Sequence, residues 1–287
     1  MFKRDHLKKP PWIKFKIPSG ANYREVHDRL KEHGLATVCQ EARCPNISEC
    51  WERKSATIMI LGRICTRACR FCAVQTGEPR GRIESGEPVQ VAAVIRDLGL
   101  RYVVITSVDR DDLADQGSGH YAATVAEIKK IDPGIRVEVL IPDFSGRSEL
   151  LRMVVESGPD VIGHNLETVR RLTPQIRDQR CGYDRSRNVL AAIKYLNPKM
   201  KTKSGFMVGL GESDEEITQT LTDLKERHVD IITVGQYLQP TLKHLPVQKY
   251  YRQEEFDEIR AAAERLGIRH VVSGPLVRSS YRAAEIG

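Results

Sequence analysis

Short β-branched and apolar runs recur along this chain at 57–61, 102–107, 136–141, 161–166, 205–210 and 231–237, with a briefer one at 270–273. Mostly amphipathic segments lie between them, at 89–98, 122–131, 149–156, 186–196, 215–227 and 255–266. Near-continuous apolar runs predict strands buried on both faces, and a 3.6-residue apolar period predicts helices. Their alternation predicts βαβ units, and so an α/β fold on a parallel sheet with right-handed connections. With six or seven units and no dinucleotide fingerprint, a barrel-like sheet, complete or partial, is favoured over a doubly wound one.

In either architecture ligands bind beyond the C-terminal ends of the strands. Polar punctuation gathers there: 65–72 after the first strand, Asp109-Arg110-Asp111-Asp112 after the second, 165–168 after the fourth, Gly209-Leu210-Gly211-Glu212 after the fifth and 236–239 at the sixth. Together these loops predict one cleft. Residues 1–22 form a basic leader with Lys8-Lys9-Pro10-Pro11-Trp12. It is expected to be a solvated arm, or else a wrap held by Trp12 and Phe15.

The 287 residues suffice for a self-supporting core without disulfides. Apolar residues make up 40% and charged residues 29%, a soluble globular profile, and no apolar run approaches the ~18 residues of a bilayer span. The opening Met1-Phe2-Lys3-Arg4-Asp5-His6 is charged and lacks the apolar stretch of a secretory signal. A cytoplasmic location is expected. Forty-five Lys and Arg against 38 Asp and Glu leave a net charge of +7, which fits plain solubility or attraction to an acidic partner.

Seven cysteines are an odd number, and in a reducing compartment they point to metal ligation or redox chemistry rather than disulfides. Cys65, Cys69 and Cys72 form a C-x3-C-x2-C run after a strand. Soft thiolates suit zinc or an iron–sulfur cluster. A structural zinc site ordinarily takes four protein ligands, whereas three thiolates on a four-iron cluster leave one corner open for a substrate or cofactor. Cys39, Cys44 and Cys50 form a second set of three, upstream of the first strand, in a turn-rich loop. Cys181 is left over and reads as a bystander.

The first triplet, with Phe71 just before its last cysteine, resembles the radical S-adenosylmethionine superfamily. Both triplets together, Lys9-Pro10-Pro11-Trp12, Thr106-Ser107-Val108-Asp109, His164-Asn165-Leu166-Glu167-Thr168, Gly235-Gln236-Tyr237-Leu238-Gln239-Pro240 and the terminal Arg278-Ser279-Ser280-Tyr281 resemble the lipoyl synthase family over almost the whole chain.

That resemblance implies a partial (β/α)6 TIM-like barrel at 55–268 between an N-terminal extension at 1–54 and a C-terminal one at 269–287. It implies two [4Fe-4S] clusters and S-adenosyl-L-methionine. Cys65, Cys69 and Cys72 would hold the cluster that cleaves S-adenosylmethionine to a 5′-deoxyadenosyl radical. Cys39, Cys44 and Cys50 would hold an auxiliary cluster, with Ser280 as fourth ligand and Ser279 as the alternative. The implied reaction inserts two sulfur atoms, drawn from that second cluster, at C6 and C8 of an octanoyl chain on a carrier lysine.

Implied partners are octanoylated lipoyl carrier domains (glycine cleavage H protein, 2-oxoacid dehydrogenase E2 subunits). A ferredoxin- or flavodoxin-like electron donor and an iron–sulfur carrier complete the set, without nucleic acid or membrane. Gln40, Arg63, Gln116 and Gln253 depart from the residues usual at their positions, and none removes a ligand.

By the same resemblance Phe71, Thr106, Ser107, Asn165, Glu167 and Arg185 would contact S-adenosylmethionine. Thr106 and Ser107 would meet the amino group, Asn165 and Glu167 the ribose and methionine, Arg185 the carboxylate. The glycines of 205–211 would admit adenine. The plain alternatives are strand-end hydroxyls, a turn with a helix cap, a surface arginine and an ordinary strand-to-helix turn. Asp109 to Asp112 read as a solvated charge run or as substrate-positioning groups. His120, His164 and His244 read as structural. No H-E-x-x-H, G-x-S-x-G or P-loop motif supports a hydrolase or kinase. A sulfur-inserting enzyme of a free small molecule and a non-enzymatic iron–sulfur or zinc protein stay open.

Overall fold

The computed structural model describes residues 7–15, 17 and 19–286; the charged opening hexapeptide lies outside them. Helix α1 (Ala21–Glu32), strand β1 (Ala36–Thr37) and helices α2 (Val38–Glu41) and α3 (Ile47–Glu52) come first. The alternating part runs β2 (Thr57–Ile60), β3 (Ile64–Cys65), β4 (Gln75–Thr76), α4 (Glu87–Asp97), β5 (Tyr102–Ser107), α5 (Ser118–Ile131), β6 (Arg136–Leu140) and α6 (Ser148–Glu156). It continues through β7 (Val161–Gly163), α7 (Thr173–Ile176), α8 (Tyr183–Leu196), β8 (Lys201–Val208), α9 (Asp214–Glu226), β9 (Ile231–Gln236), α10 (Gln253–Arg265) and β10 (His270–Gly274), and closes on α11 (Ala283–Ile286).

The large sheet has the order β1-β2-β5-β6-β7-β8-β9-β10, and every pair from β2 to β10 is parallel. Strand order follows chain order without reversing. A doubly wound sheet reverses at a switch point, so the arrangement is an open barrel. β1 lies antiparallel on β2 at one edge, and β10 forms the other edge, in register with β9 from His270–Ile231 to Gly274–Gly235.

The strands are buried on both faces, which is why they read as unbroken apolar runs: all of β2 and all of β9 are buried. The helices bury one stripe each, such as Leu150, Leu151, Val154 and Val155 of α6. Helix α9 starts on a Ser213/Glu216 capping box, which fixes where β8 hands over to its helix.

Two differences from the sequence expectation have physical causes, and the leader's contacts bear on its two readings. β7 ends at Gly163, not 166, because the chain turns into the left-handed region at Glu167 (φ 67°) and rejoins the sheet through one Glu167–Phe206 bridge. β8 starts at Lys201, earlier than 205, because its lysine is no surface signal: Lys203 is buried against Glu138 at 2.8 Å. The described part of the leader is tied to the core at few points, with Trp12 and Phe15 still 44% and 42% exposed. Ile13 is buried, Trp12 Nε1 donates to Tyr251 O at 3.3 Å with Arg252 over its ring, and Lys9 sits 3.9 Å over the Phe15 ring.

Candidate functional site

Cys65 closes β3, and the loop that follows is held by Arg67, whose side chain is only 2% exposed. Its guanidinium pairs with Asp111 and Asp143 at 2.8 Å each and with Asp109 at 3.4 Å. Burial pushes the Asp111 and Asp143 carboxyls up, but Arg67 outweighs it and both stand below the usual carboxylate range. At Asp109 burial prevails over Arg67 and the carboxyl is raised. The 109–112 run is therefore scaffolding for the cysteine loop rather than a solvated face; Arg110 is buried too, on Asp112 at 2.8 Å.

This scaffold aims backbone donors at sulfur. Cys65 Sγ accepts from Arg67 N and Asp109 N at 3.4 Å, and Cys69 Sγ from Asp178 N at 3.3 Å. All seven cysteines are free. Burial, then Asp109, pushes the Cys65 thiol up to about 12, and burial pushes Cys72 up to about 11. Contact with Cys181, then burial, raises Cys69.

The second triplet lies on the α2–α3 segment. Cys39 is buried, and burial followed by Cys44 pushes it up to about 11. Burial, then Cys39 and Cys44, pushes Cys50 up to about 12, and burial raises Cys44. Cys44 N donates to Cys39 O and Cys50 N to Asn46 O, both at 2.9 Å, so one short segment carries all three. Asn46, buried in the same loop, donates to Leu276 O at 2.6 Å and ties the C-terminal segment to it. Tyr281 OH on Glu49 Oε1 at 3.3 Å adds a second tie.

Both loops face one cavity of about 810 Å³. Cys39 and Cys44 line it, as do Cys65, Cys69 and Cys72, together with Phe71, Thr106, Ser107, Asn165 and Glu167. The tail reaches it through Val277, Arg278 and Ser279, and the leader through Lys9 and Phe15. Ser280 and Cys50 are not on its wall, whereas Cys181 is.

The remaining expected contacts divide. Thr106 and Ser107 face the cavity, yet their hydroxyls donate to Leu140 O (3.1 Å) and Val108 O (2.8 Å). Asn165 Nδ2 donates to Glu167 Oε1 at 3.0 Å, while its buried Oδ1 has no partner. Burial raises the Glu167 carboxyl against the pull of Arg177. A non-glycine residue at φ 67° costs of order 1 kcal/mol, held here where Glu167 is presented to the cavity.

Arg185 is not on the wall: it is 40% exposed, and faces Asp143 at 3.6 Å and the Arg180 carbonyl. Arg177 takes that place, buried, with its Nε unpartnered. Nothing in its local sequence separates it from Arg170, Arg171 and Arg180. Among the glycines, Gly205 opens on the cavity, where a Cβ would meet Thr233 Oγ1 at 2.5 Å. The space beside Gly209 is filled by Gln236 Nε2, so Gly209 serves packing rather than a ligand.

A family model of the radical SAM superfamily matches residues 59–224, and one of the N-terminal domain of lipoyl synthase matches residues 1–44. The lipoyl synthase of Deinococcus radiodurans is 54% identical over 279 residues, 97% of this chain and 84% of that protein. That of Halorhodospira halophila is 53% identical over the same shares.

The chain belongs to the lipoyl synthase family. It is thus a sulfur-inserting enzyme of the radical SAM superfamily. Its fold is also similar to that of Streptococcus suis SuiB bound to precursor peptide SuiA, with a TM-score of 0.59 at 13% identity, covering 91% of this chain and 54% of that one.

Membership implies a [4Fe-4S] cluster with S-adenosylmethionine, and in lipoyl synthases a second cluster. The donor chemistry fits. Each loop offers three soft thiols, and at the first loop N–H groups already point at sulfur, a known lever on cluster thiolates. Asn165, Glu167 and Arg177 line the same wall, and their amide, carboxyl and guanidinium groups suit the polar end of an amino-acid ligand.

Proposed function

We propose that this enzyme inserts two sulfur atoms at C6 and C8 of an octanoyl chain amide-linked to a lysine of a lipoyl carrier domain. One observation carries the reading: Cys65, Cys69 and Cys72 of the first triplet and Cys39 and Cys44 of the second line a single cavity, which the tail also reaches. Unactivated C–H bonds offer no acidic proton, so acid–base groups cannot start such a reaction. When bound, the first cluster and S-adenosylmethionine would supply the hydrogen-abstracting radical, and the second cluster the sulfur.

Cys65, Cys69 and Cys72 would hold the first cluster, with Arg67 fixing their loop. Asn165 and Glu167 would orient S-adenosylmethionine, with the Arg177 guanidinium, rather than Arg185, toward its carboxylate. Cys39, Cys44 and Cys50 would hold the second cluster, completed by a tail serine. Ser280 is the residue assigned from sequence, and Ser279 competes with it because it lines the cavity. An alkoxide oxygen is a harder donor than thiolate and suits a corner that must be given up. The apolar part of the wall, with Phe71, Val108 and Phe206, suits an alkyl chain. A reducing cytoplasm with a ferredoxin- or flavodoxin-like donor suits seven free thiols, and an iron–sulfur carrier would restore the consumed cluster.

The test is anaerobic turnover of the reconstituted chain with reductant, S-adenosylmethionine and an octanoyl-lysine peptide. A mass gain of two sulfur atoms is expected. The Cys39→Ala, Cys44→Ala, Cys50→Ala variant should still form 5′-deoxyadenosine and add no sulfur. Ser279→Ala and Ser280→Ala, compared singly, identify the tail ligand by loss of second-cluster iron. No sulfur gain by wild type with both clusters loaded rejects the reading.

A further inference from the structure

The structure assigns His244 as a positioning residue for the Cys72 corner, an inference that rests on the reading of Cys65, Cys69 and Cys72 as a cluster-binding set. His244 lies in the loop after β9, 172 residues away in sequence, and its Nε2 is 2.9 Å from the Cys72 carbonyl oxygen. A carbonyl only accepts, so Nε2 carries the proton. Nδ1 lies 2.8 Å from Thr241 Oγ1, which also accepts from Lys243 N at 3.2 Å. In the neutral ring Nδ1 is then an acceptor, and the Thr241 hydroxyl is placed to donate to it, which holds the tautomer whose donor faces Cys72.

The contact is one of several between the two loops. Leu245 N donates to Arg70 O at 3.4 Å, and Phe71 packs against the apolar group containing Leu245, Val247 and Tyr237. On its other flank the cysteine turn is held by Arg70 N on Ile176 O at 2.8 Å. The turn itself closes with Cys72 N on Cys69 O at 3.1 Å. The Cys69–Cys72 turn is thus gripped by the end of α7 on one side and the loop after β9 on the other, and His244 supplies a side-chain donor to the Cys72 carbonyl.

A carbonyl pinned in this way sets the direction of the Cys72 Cα–Cβ bond. The same loop lines the cavity through Tyr237, Gln239 and Pro240, so it joins the wall beside the substrate space to one cluster ligand. Groups that orient a metal ligand without touching the metal typically change affinity or activity about 10- to 100-fold.

The test uses the full chain carrying Cys39→Ala, Cys44→Ala and Cys50→Ala, so that only the first cluster contributes. His244→Ala, His244→Gln and Thr241→Val are reconstituted in that background. Iron content, the electron paramagnetic resonance spectrum of the reduced cluster with and without S-adenosylmethionine, and 5′-deoxyadenosine formation are read.

His244→Ala should load iron normally, shift the spectrum and slow 5′-deoxyadenosine formation about 10- to 100-fold. His244→Gln, whose amide reaches the same carbonyl, should regain most of both, and Thr241→Val should fall between. A wild-type spectrum and rate for His244→Ala, or equal impairment of Ala and Gln, overturns the assignment. If His244→Ala loads no cluster, Thr241→Val decides: a shifted spectrum supports the role and an unshifted one overturns it. Wild type that cleaves S-adenosylmethionine but adds no sulfur to the octanoyl peptide would defeat the proposed function and leave this comparison intact.

Discussion

Replacing Lys203 by methionine isolates the electrostatics of the barrel interior. Lys203 and Glu138 are 2% and 1% exposed, with Nζ at 2.8 Å from Oε1 and 3.1 Å from Oε2. Tyr102 OH donates to Glu138 Oε2 at 2.6 Å, so the carboxylate is satisfied from two sides. Removing one member of such a buried pair strands a charge and costs about 3–5 kcal/mol. For a chain of this length that lowers the melting temperature by roughly 5–8 °C. Lys203→Met with Glu138→Gln leaves no charge and keeps an acceptor for Tyr102, so most of the loss should return.

A stranded carboxyl is costly only while ionised, so the single-variant deficit should shrink as the solution is acidified. The assay is urea unfolding of the cluster-free chain and its three variants, which gives the coupling energy as a double-mutant cycle. Lys203 lies two residues before the cavity-lining Gly205, so cluster loading well below the melting temperature should be unchanged. A Lys203→Met deficit under about 1 kcal/mol at neutral pH, or no recovery in the double variant, would refute the reasoning.

Burial, then Arg177, holds the His164 imidazole down at about 4. The unfolded chain takes that proton near 6.5, so stability is lost as pH falls from about 6.5 to 4, by about 3 kcal/mol in all; urea unfolding at pH 7 and pH 5 should show a shallower slope for His164→Gln. A Cβ on Gly235 would meet Val277 O at 2.1 Å. Gly235→Ala should therefore push the tail off the cavity and cut bound iron from roughly eight toward four per chain, measured after reconstitution. Amide exchange should be faster across 38–54 and 275–282 than across the strands, read by mass spectrometry on the cluster-free chain. If the +7 charge steers an acidic carrier, the association rate should fall with added salt in stopped-flow; a salt-independent rate removes that role.

The strands were legible because parallel strands buried on both faces leave apolar runs whatever they pack against, and the helices because one stripe of each is apolar. What stayed hidden depends on partners remote in sequence. Lys203 looks like a strand boundary until Glu138, 65 residues away, is seen against it. Arg67 and Asp109 to Asp112 look like surface charge until Asp143 closes the buried network. Helix α1 was missed because only Val26 and Leu30 are buried in it, too few to mark a period. The cysteine spacings were legible for a different reason: residues meant to act as one set must be close, and a short loop is the simplest way to bring them together. Arg185 and Arg177 show the limit, since eight positions apart only the fold decides which one turns inward.

The two halves of the site are built with unequal firmness. The first triplet sits on the small β3–β4 ribbon and the loop after β3, with a buried arginine among three carboxylates. The second lies on short helices, held to the tail by Asn46 on Leu276 O, Tyr281 on Glu49, and an exposed Arg53–Glu285 pair at 3.3 Å. An exposed pair contributes about 0.2–1 kcal/mol, and Arg282 adds another on Glu49 at 3.5 Å, so the polar ties between these two segments beyond Asn46 are individually weak. A group that generates radicals must keep its geometry through repeated turnovers. A group that gives up its sulfur must instead be reached, emptied and refilled. If the second triplet holds the sulfur source, as proposed, its place on the chain's extensions would let that end open locally while the barrel stays folded, which is the physical reason to expect exchange to be fast at the tail and slow in the strands.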